Sequence, residues 1–226
     1  GRRPEADAAG GLDGVMGAGR PVTDIRQVKR GLRKKFREIR LAMDPQEKAA
    51  WDRRITANLL RSPRYRKAKR VLLFVSKPIE IDTHSLIRTA LQQGKQVLLP
   101  RCLNEQGHME FFAIQSWDDL VPGLYGLLEP DPERCPCIQT FRPTDFCLVP
   151  GFSFDAKGYR LGFGKGYYDR FLSRFSGVTA GACYHCCTTQ SLPHGRYDRP
   201  VDYLFTERYV RRLAPPDAPL PKLKER

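Results

Sequence analysis

Residues 70–100 read RVLLFVSKPIEIDTHSLIRTALQQGKQVLLP. The stretch opens on a continuous apolar run, 70–76, the pattern of a strand covered on both faces. It closes on a second such run, QVLLP at 96–100. Between them, Asp82 or Thr83 is placed to cap a helix through HSLIRTALQQ, and Gly94 stands where a left-handed residue ends a helix at little cost. Strand, helix and strand in this order predict a β-α-β unit with a right-handed crossover. The fold class follows: α/β, with a mainly parallel sheet.

The flanks extend the same alternation. Upstream, Ile25, Val28, Leu32, Phe36, Ile39 and Met43 recur at steps of three and four, an apolar stripe on a helix whose other face is basic. Asp44 then reads as an N-cap, with Pro45 at the first helical position and Glu47 at the third. That second helix turns Trp51, Ile55 and Leu59 inward and stops before Pro63. Downstream, MEFFAI (109–114), DFCLVPGFSF (145–154) and VTAGACYH (178–185) read as strands, and GYYDRFLSRF (166–175) as the start of a helix.

The chain has 226 residues, enough for one well-buried domain. No apolar run approaches the roughly 18–20 residues of a membrane-spanning helix. Residues 1–24 are rich in Gly and Ala without hydrophobic periodicity and read as a disordered arm; residues 211–226 read as a loose proline-rich tail. A single domain is therefore expected over 25–210. The arm holds three arginines against three Asp and one Glu, a poor composition for a mitochondrial presequence, so a cytoplasmic location is expected, with mitochondrial targeting by this arm as the alternative.

The formal net charge is +14, and it is concentrated. Residues 26–40 hold eight basic residues and one acidic, and residues 61–70 hold six basic and none acidic. Basic density of this kind serves a polyphosphate ligand as well as RNA, so charge alone does not choose. An odd count of seven cysteines suits a reducing compartment better than a disulfide framework, and their spacing does not match paired CxxC zinc ligands.

The segment DAKGYRLGFGKGYYDRFL (155–172) carries the chemistry. Gly162, Gly164 and Gly166 alternate between a strand and a helix, freeing backbone N–H groups to approach an anion. Arg160 and Lys165 flank them, so the pattern is that of a phosphate cradle. It is neither a P-loop nor a dinucleotide fingerprint, because the Lys and Gly spacings differ. Tyr167 and Tyr168 read either as core aromatics at a helix start or as a stacking wall for a flat heterocycle. Asp169 reads either as a first-turn carboxylate on the helix dipole or as a magnesium ligand.

VPGFSFDAKGYRLGFGKGYYDRFL closely resembles the signature of the 5-formyltetrahydrofolate cyclo-ligases, also called 5,10-methenyltetrahydrofolate synthetases. KRGLRKKFREIRLAM, FVSKPIEIDT, LYGLLEP and LPHGRYDRPVDYLFTE are similar to further family elements in the same order, so the resemblance covers roughly residues 25–210. It implies a three-layer α/β/α sandwich, Rossmann-like, and the conversion of 5-formyltetrahydrofolate and MgATP to 5,10-methenyltetrahydrofolate, ADP and phosphate.

The resemblance also implies roles for residues. Lys29 and Arg33 would contact ATP, together with Arg160, Leu161, Gly162, Phe163, Gly164, Lys165, Gly166, Tyr167 and Tyr168. Val75 and Glu80 would bind the folate, with Phe163 through Tyr167 on its reacting side. Asp169 and Asp202 would hold Mg2+, and Lys165 and Arg160 would carry catalysis by charge. The implied partners are ATP and 5-formyltetrahydrofolate with its polyglutamates, with no nucleic acid or membrane, on a monomeric chain. Two departures stand out: Phe163 occupies a position where relatives often have a small, basic or flexible residue, and Lys77 and Pro78 precede Glu80.

Overall fold

The computed structural model describes residues 24–196 and 198–213; the expected N-terminal arm, apart from Asp24, and most of the expected tail lie outside them. Helix α1 (Ile25–Leu41) is capped by Asp24, whose carboxylate accepts from the Arg26 N–H. Helix α2 (Pro45–Arg61) starts as its sequence predicts, with the Asp44 carboxylate accepting from the Glu47 N–H at 3.1 Å. Ser62 and Pro63 end it, where its sequence predicts, and begin α3 (Pro63–Lys67), a short helix for which no expectation was set. The apolar stripe of α1 is only partly used: Phe36 is buried, whereas Ile25 at its start is half exposed.

Strand β1 (Arg70–Leu72) is followed by α4 (His84–Gln92), and β2 (Gln96–Cys102) returns parallel to β1. Gly94 adopts φ +77°, the left-handed conformation anticipated for it. The hydroxyl of Thr83 does not cap α4 but donates to Phe74 O; Asp82 accepts from the His84 N–H instead. The run from Leu73 to Ser76 leaves the strand and forms a loop, so β1 is shorter than its apolar stretch. Strand β3 (Met109–Ile114) pairs antiparallel with β2. A hairpin of β4 (Leu120–Pro122) and β5 (Leu128–Pro130) then forms, followed by β6 (Cys137–Ile138) on β3.

The predicted strand over 145–154 is two strands. β7 (Phe146–Val149) joins the main sheet, Pro150 and Gly151 turn the chain, and β8 (Ser153–Asp155) pairs with β9 (Arg160–Leu161) in a separate small sheet. Proline lacks the N–H that a continuing central strand would need. Helix α5 (Tyr167–Leu172), β10 (Val178–Ala182), β11 (Thr188–Thr189), β12 (Tyr203–Phe205) and β13 (Val210–Arg212) complete the chain. Arg211 and Arg212 pair with β12, so the first residues assigned to the tail belong to the sheet.

The large sheet runs β13-β12-β10-β7-β1-β2-β3-β6. Its five central strands are mutually parallel, and antiparallel strands close both edges. The mainly parallel α/β reading is borne out. Register shows helices on opposite faces. Tyr65 of α3 packs edge-on to Phe146, which is in register with Val71 and, through it, Val97. Phe171 of α5 packs on Phe111, which is in register with Pro100, three residues along β2 from Val97 and so on the other face. Arg70 and Asp145 form a buried ion pair at the start of β1 and β7, closed by hydrogen bonds to Thr140 O and from the Arg142 N–H.

Candidate active site

A cleft of about 560 Å³ opens among α1, the β1–α4 loop, the end of β2, the β4–β5 hairpin and the loop from β9 to α5. Every site residue anticipated from the sequence lines it except Asp202. Because β7 ends at Val149 and the chain turns at Pro150, the glycine loop follows the small β8–β9 hairpin rather than a central strand. It still meets the cleft, since the turn at 150–152 folds it back over the sheet.

One end is cationic. Lys29, Arg33 and Arg37 project from the inward face of α1, spaced four residues apart so that all three share a side. The Arg33 Nε–H donates to Gly162 O at 2.7 Å, tying the helix to the glycine loop. Burial pulls the Arg33 guanidinium below its usual value; Asp169 opposes this, and Arg160 and Arg30 add to it. Gly164 has φ +98° and lies against the same guanidinium. Lys29 faces Asp198 at 3.9 Å.

Arg160 runs beneath this loop. Its Nη1–H donates to Pro150 O at 3.2 Å and its Nη2–H to Asp169 Oδ1 at 3.0 Å. A Cβ on Gly162 would stand 2.6 Å from Nη1, so glycine is needed for the guanidinium to pass. Lys165 lies above, its Nζ 5.6 Å from the centre of the Tyr125 ring. The two loop cations therefore differ: Arg160 is engaged from below, and Lys165 has its charge on the cleft side.

The two tyrosines also differ. Tyr168 packs its ring against Phe111 and under the Arg160 guanidinium, with its hydroxyl buried and unbonded, the core reading of an aromatic at a helix start. The Tyr167 hydroxyl donates to Asn104 O at 2.7 Å and lies 3.2 Å from that of Tyr125, which fixes the ring as a wall. Burial pushes both phenols well above the ordinary tyrosine value, so both stay protonated.

The cleft lining also holds two buried carboxylates. Glu80 is 6% exposed, and its Oε1 accepts from the Lys77 N–H at 3.1 Å. Glu129, on β5, is 3% exposed; its Oε1 accepts from the Cys102 N–H at 3.2 Å, and Oε2 has Arg101 at 3.7 Å but no hydrogen bond. Desolvation raises both above the usual carboxylate range; the Lys77 and Cys102 backbone bonds, respectively, oppose it. Val75 and Phe74 supply apolar wall beside Glu80. Phe163 packs on Phe152 with ring centres 4.5 Å apart.

Sequence reading missed Glu129, Arg37, Lys77 and Tyr125 as cleft residues. Glu129 sat in the quoted element LYGLLEP, but nothing local marks a glutamate whose burial is created by a hairpin folding over β2. Tyr125 has φ +64°, unusual for a non-glycine residue, and no single-sequence signal announces that either.

The two aspartates implied for magnesium stand in different surroundings. Asp169 is half exposed and lines the cleft, paired with Arg160 at 3.0 Å. Asp202 Oδ2 accepts from the Thr179 N–H and hydroxyl, which binds it to β10 rather than to the cleft. Among the described residues no group of three or more His, Cys, Asp or Glu is disposed to hold a metal ion. A single carboxylate beside a polyphosphate suits Mg2+, which keeps waters and takes most protein-independent oxygens from the nucleotide. Asp169 fits that part.

The sequence model of the 5-formyltetrahydrofolate cyclo-ligase family matches residues 25–207. This chain belongs to the 5-formyltetrahydrofolate cyclo-ligase family. The probable 5-formyltetrahydrofolate cyclo-ligase of Caenorhabditis elegans is 31% identical over 153 residues, 66% of this chain and 74% of that one. The 5-formyltetrahydrofolate cyclo-ligase of Haemophilus influenzae is 29% identical, covering 77% of this chain and 95% of its own. Among solved structures, the Aquifex aeolicus 5,10-methenyltetrahydrofolate synthetase superposes with a TM-score of 0.73 at 35% identity, over 83% of this chain and 94% of that one. The cyclo-ligase assignment makes the chain a ligase, and the mixed α/β sheet is the fold of its structural neighbour.

Proposed function

We propose that this cyclo-ligase converts 5-formyltetrahydrofolate and MgATP to 5,10-methenyltetrahydrofolate, ADP and phosphate. The observation that carries the reading is one cleft that brings a glycine loop and three helix cations together with two buried carboxylates. A polyphosphate fits the loop and cations, and a flat ring with an N–H donor edge fits the carboxylates. Lys29, Arg33, Arg37 and the amides of 162–166 take the ATP phosphates. Glu80 accepts from the donor edge of the pterin, with Val75 against its face.

The chemistry asks the protein for position and charge. The formyl oxygen attacks the γ-phosphorus as the N5 electron pair moves into a C–N double bond. The bond from phosphorus to the β,γ-bridging oxygen breaks, and its pair leaves on ADP. N10 attacks the formyl carbon and gives up its proton; the carbon–oxygen bond breaks and phosphate departs with the pair, leaving the methenyl bridge. Lys165 offsets charge on the moving phosphoryl group, and Arg160 holds Asp169 in place. Magnesium, when bound, would neutralise phosphate oxygens, and Asp169 would hold it.

The test is direct. Purified protein with 5-formyltetrahydrofolate and MgATP should develop the near-ultraviolet band of the methenyl product, and omission of ATP should abolish it. A folded protein that binds both ligands and forms no band would overturn the reading. No described helix is long and apolar enough to cross a membrane.

A further inference from the structure

The cations lining the cleft differ in what already holds them. Arg33 donates to Gly162 O, Arg160 is shared by Pro150 O and Asp169, and Arg199 donates to the carbonyls of Leu172, Phe175 and Gly177. Lys77 has no such partner among the described residues: its ammonium rests over the Phe163 ring, 4.9 Å from the centre. An aromatic face attracts a cation without neutralising it. The charge stays available to an anion.

Its position is specific. The Lys77 backbone N–H donates to Glu80 Oε1, so the main chain touches the carboxylate assigned to the pterin edge. Its tip lies on Phe163, between Gly162 and Gly164 of the phosphate loop. One side chain thus spans from the folate end to the phosphate end. The formyl oxygen and the γ-phosphoryl group must meet within that span, if the reaction is the one proposed above, on which this inference rests.

We propose that Lys77 is a catalytic residue whose ammonium pairs with the oxygens of the phosphoryl group as it passes from ATP to the formyl oxygen. In that step the oxygen–phosphorus bond forms, the bond to the ADP oxygen breaks with its electron pair, and N5 supplies the pair for the new C–N double bond. Lys77 transfers no proton. It lowers the repulsion between the formyl oxygen and an anionic phosphoryl group, an interaction that strengthens toward the transition state and so acts on kcat rather than KM. Phe163 is its seat, which gives a role to an aromatic residue inside a loop of glycines.

The experiment compares Lys77→Met, Lys77→Arg and Lys69→Met, an exposed lysine outside the cleft, with the wild-type chain in one assay of methenyl formation. The expected result is a fall in kcat of about 10²-fold for Lys77→Met, with both KM values little changed, partial recovery in Lys77→Arg and none lost in Lys69→Met. Phe163→Leu is the second probe: if the ring acts through the ammonium, the double variant with Lys77→Met is no slower than Lys77→Met alone. A wild-type kcat in Lys77→Met overturns the inference. So does a raised folate KM at unchanged kcat, which would place Lys77 on the substrate's own carboxylates, and so does full multiplication of the two effects in the double variant. Absence of ATP-dependent turnover in the wild type is a different result, and it removes the proposed reaction itself.

Discussion

Glu80 and Glu129 are carboxylates in a place where water barely reaches them, and their ionisation works against the empty protein. Burial raises the folded value of each above 4.5, so from that pH upward the folded state holds protons that the unfolded chain releases. Stability contributed by these two groups therefore falls as pH rises toward their folded values. Glu80→Gln should gain thermal stability relative to wild type as pH rises above 4.5, while losing folate affinity; melting curves across pH with a folate titration check both. A stability difference that does not change with pH would remove the desolvation account. Lys165→Ala tests the other end. It should keep its fold, by circular dichroism, and lose about 10²- to 10³-fold in turnover, as for loss of one donor to a developing oxyanion. At this scale the loop residues were legible because glycine and lysine announce themselves locally. Glu129 was not, because its environment is made by residues distant in sequence.

The elements behave as their ends dictate. The Asp44 carboxylate satisfies an otherwise free N–H at the start of α2, so Asp44→Ala should cost about 1 kcal/mol and leave turnover alone. A denaturant titration measures it. Gly162→Ala should do the reverse: a Cβ 2.6 Å from Arg160 Nη1 displaces a flexible guanidinium rather than backbone, so the fold survives. Asp169 then loses its hold, and the KM for MgATP should rise; an unchanged value would show that the Arg160–Asp169 pair has no part in nucleotide binding. Helix starts and stops were readable because caps, prolines and Gly94 are local signals. The split of residues 145–154 was signalled by Pro150 and lost to the continuity of apolar residues around it. The β4–β5 hairpin had no alternating pattern to betray it.

The whole molecule rests on a sheet whose central strands are parallel and covered from both sides. Arg70 and Asp145 lock two of those strands where they begin, with Asp145 2% exposed. Removing one partner strands the other charge in the interior, so Asp145→Ala should lose about 3–5 kcal/mol, read as a lower denaturation midpoint. MgATP binding should raise the melting temperature in proportion to the logarithm of its concentration above Kd. The α/β class was legible from a single β-α-β unit, since parallel strands demand a crossover. The antiparallel edges were not, because short strands such as β6 and β13 are defined by their neighbours rather than by their own composition.

The bond from Arg33 to Gly162 joins residues 129 positions apart. On the ribosome, α1 emerges long before the loop that will receive it. Its basic face therefore meets the solvent of the cell until Gly162, 129 residues on from Arg33, has been made, and the cleft closes only after that. Contacts of such sequence separation slow folding, and they ensure that a prematurely terminated chain carries the helix cations without the means to bind a nucleotide.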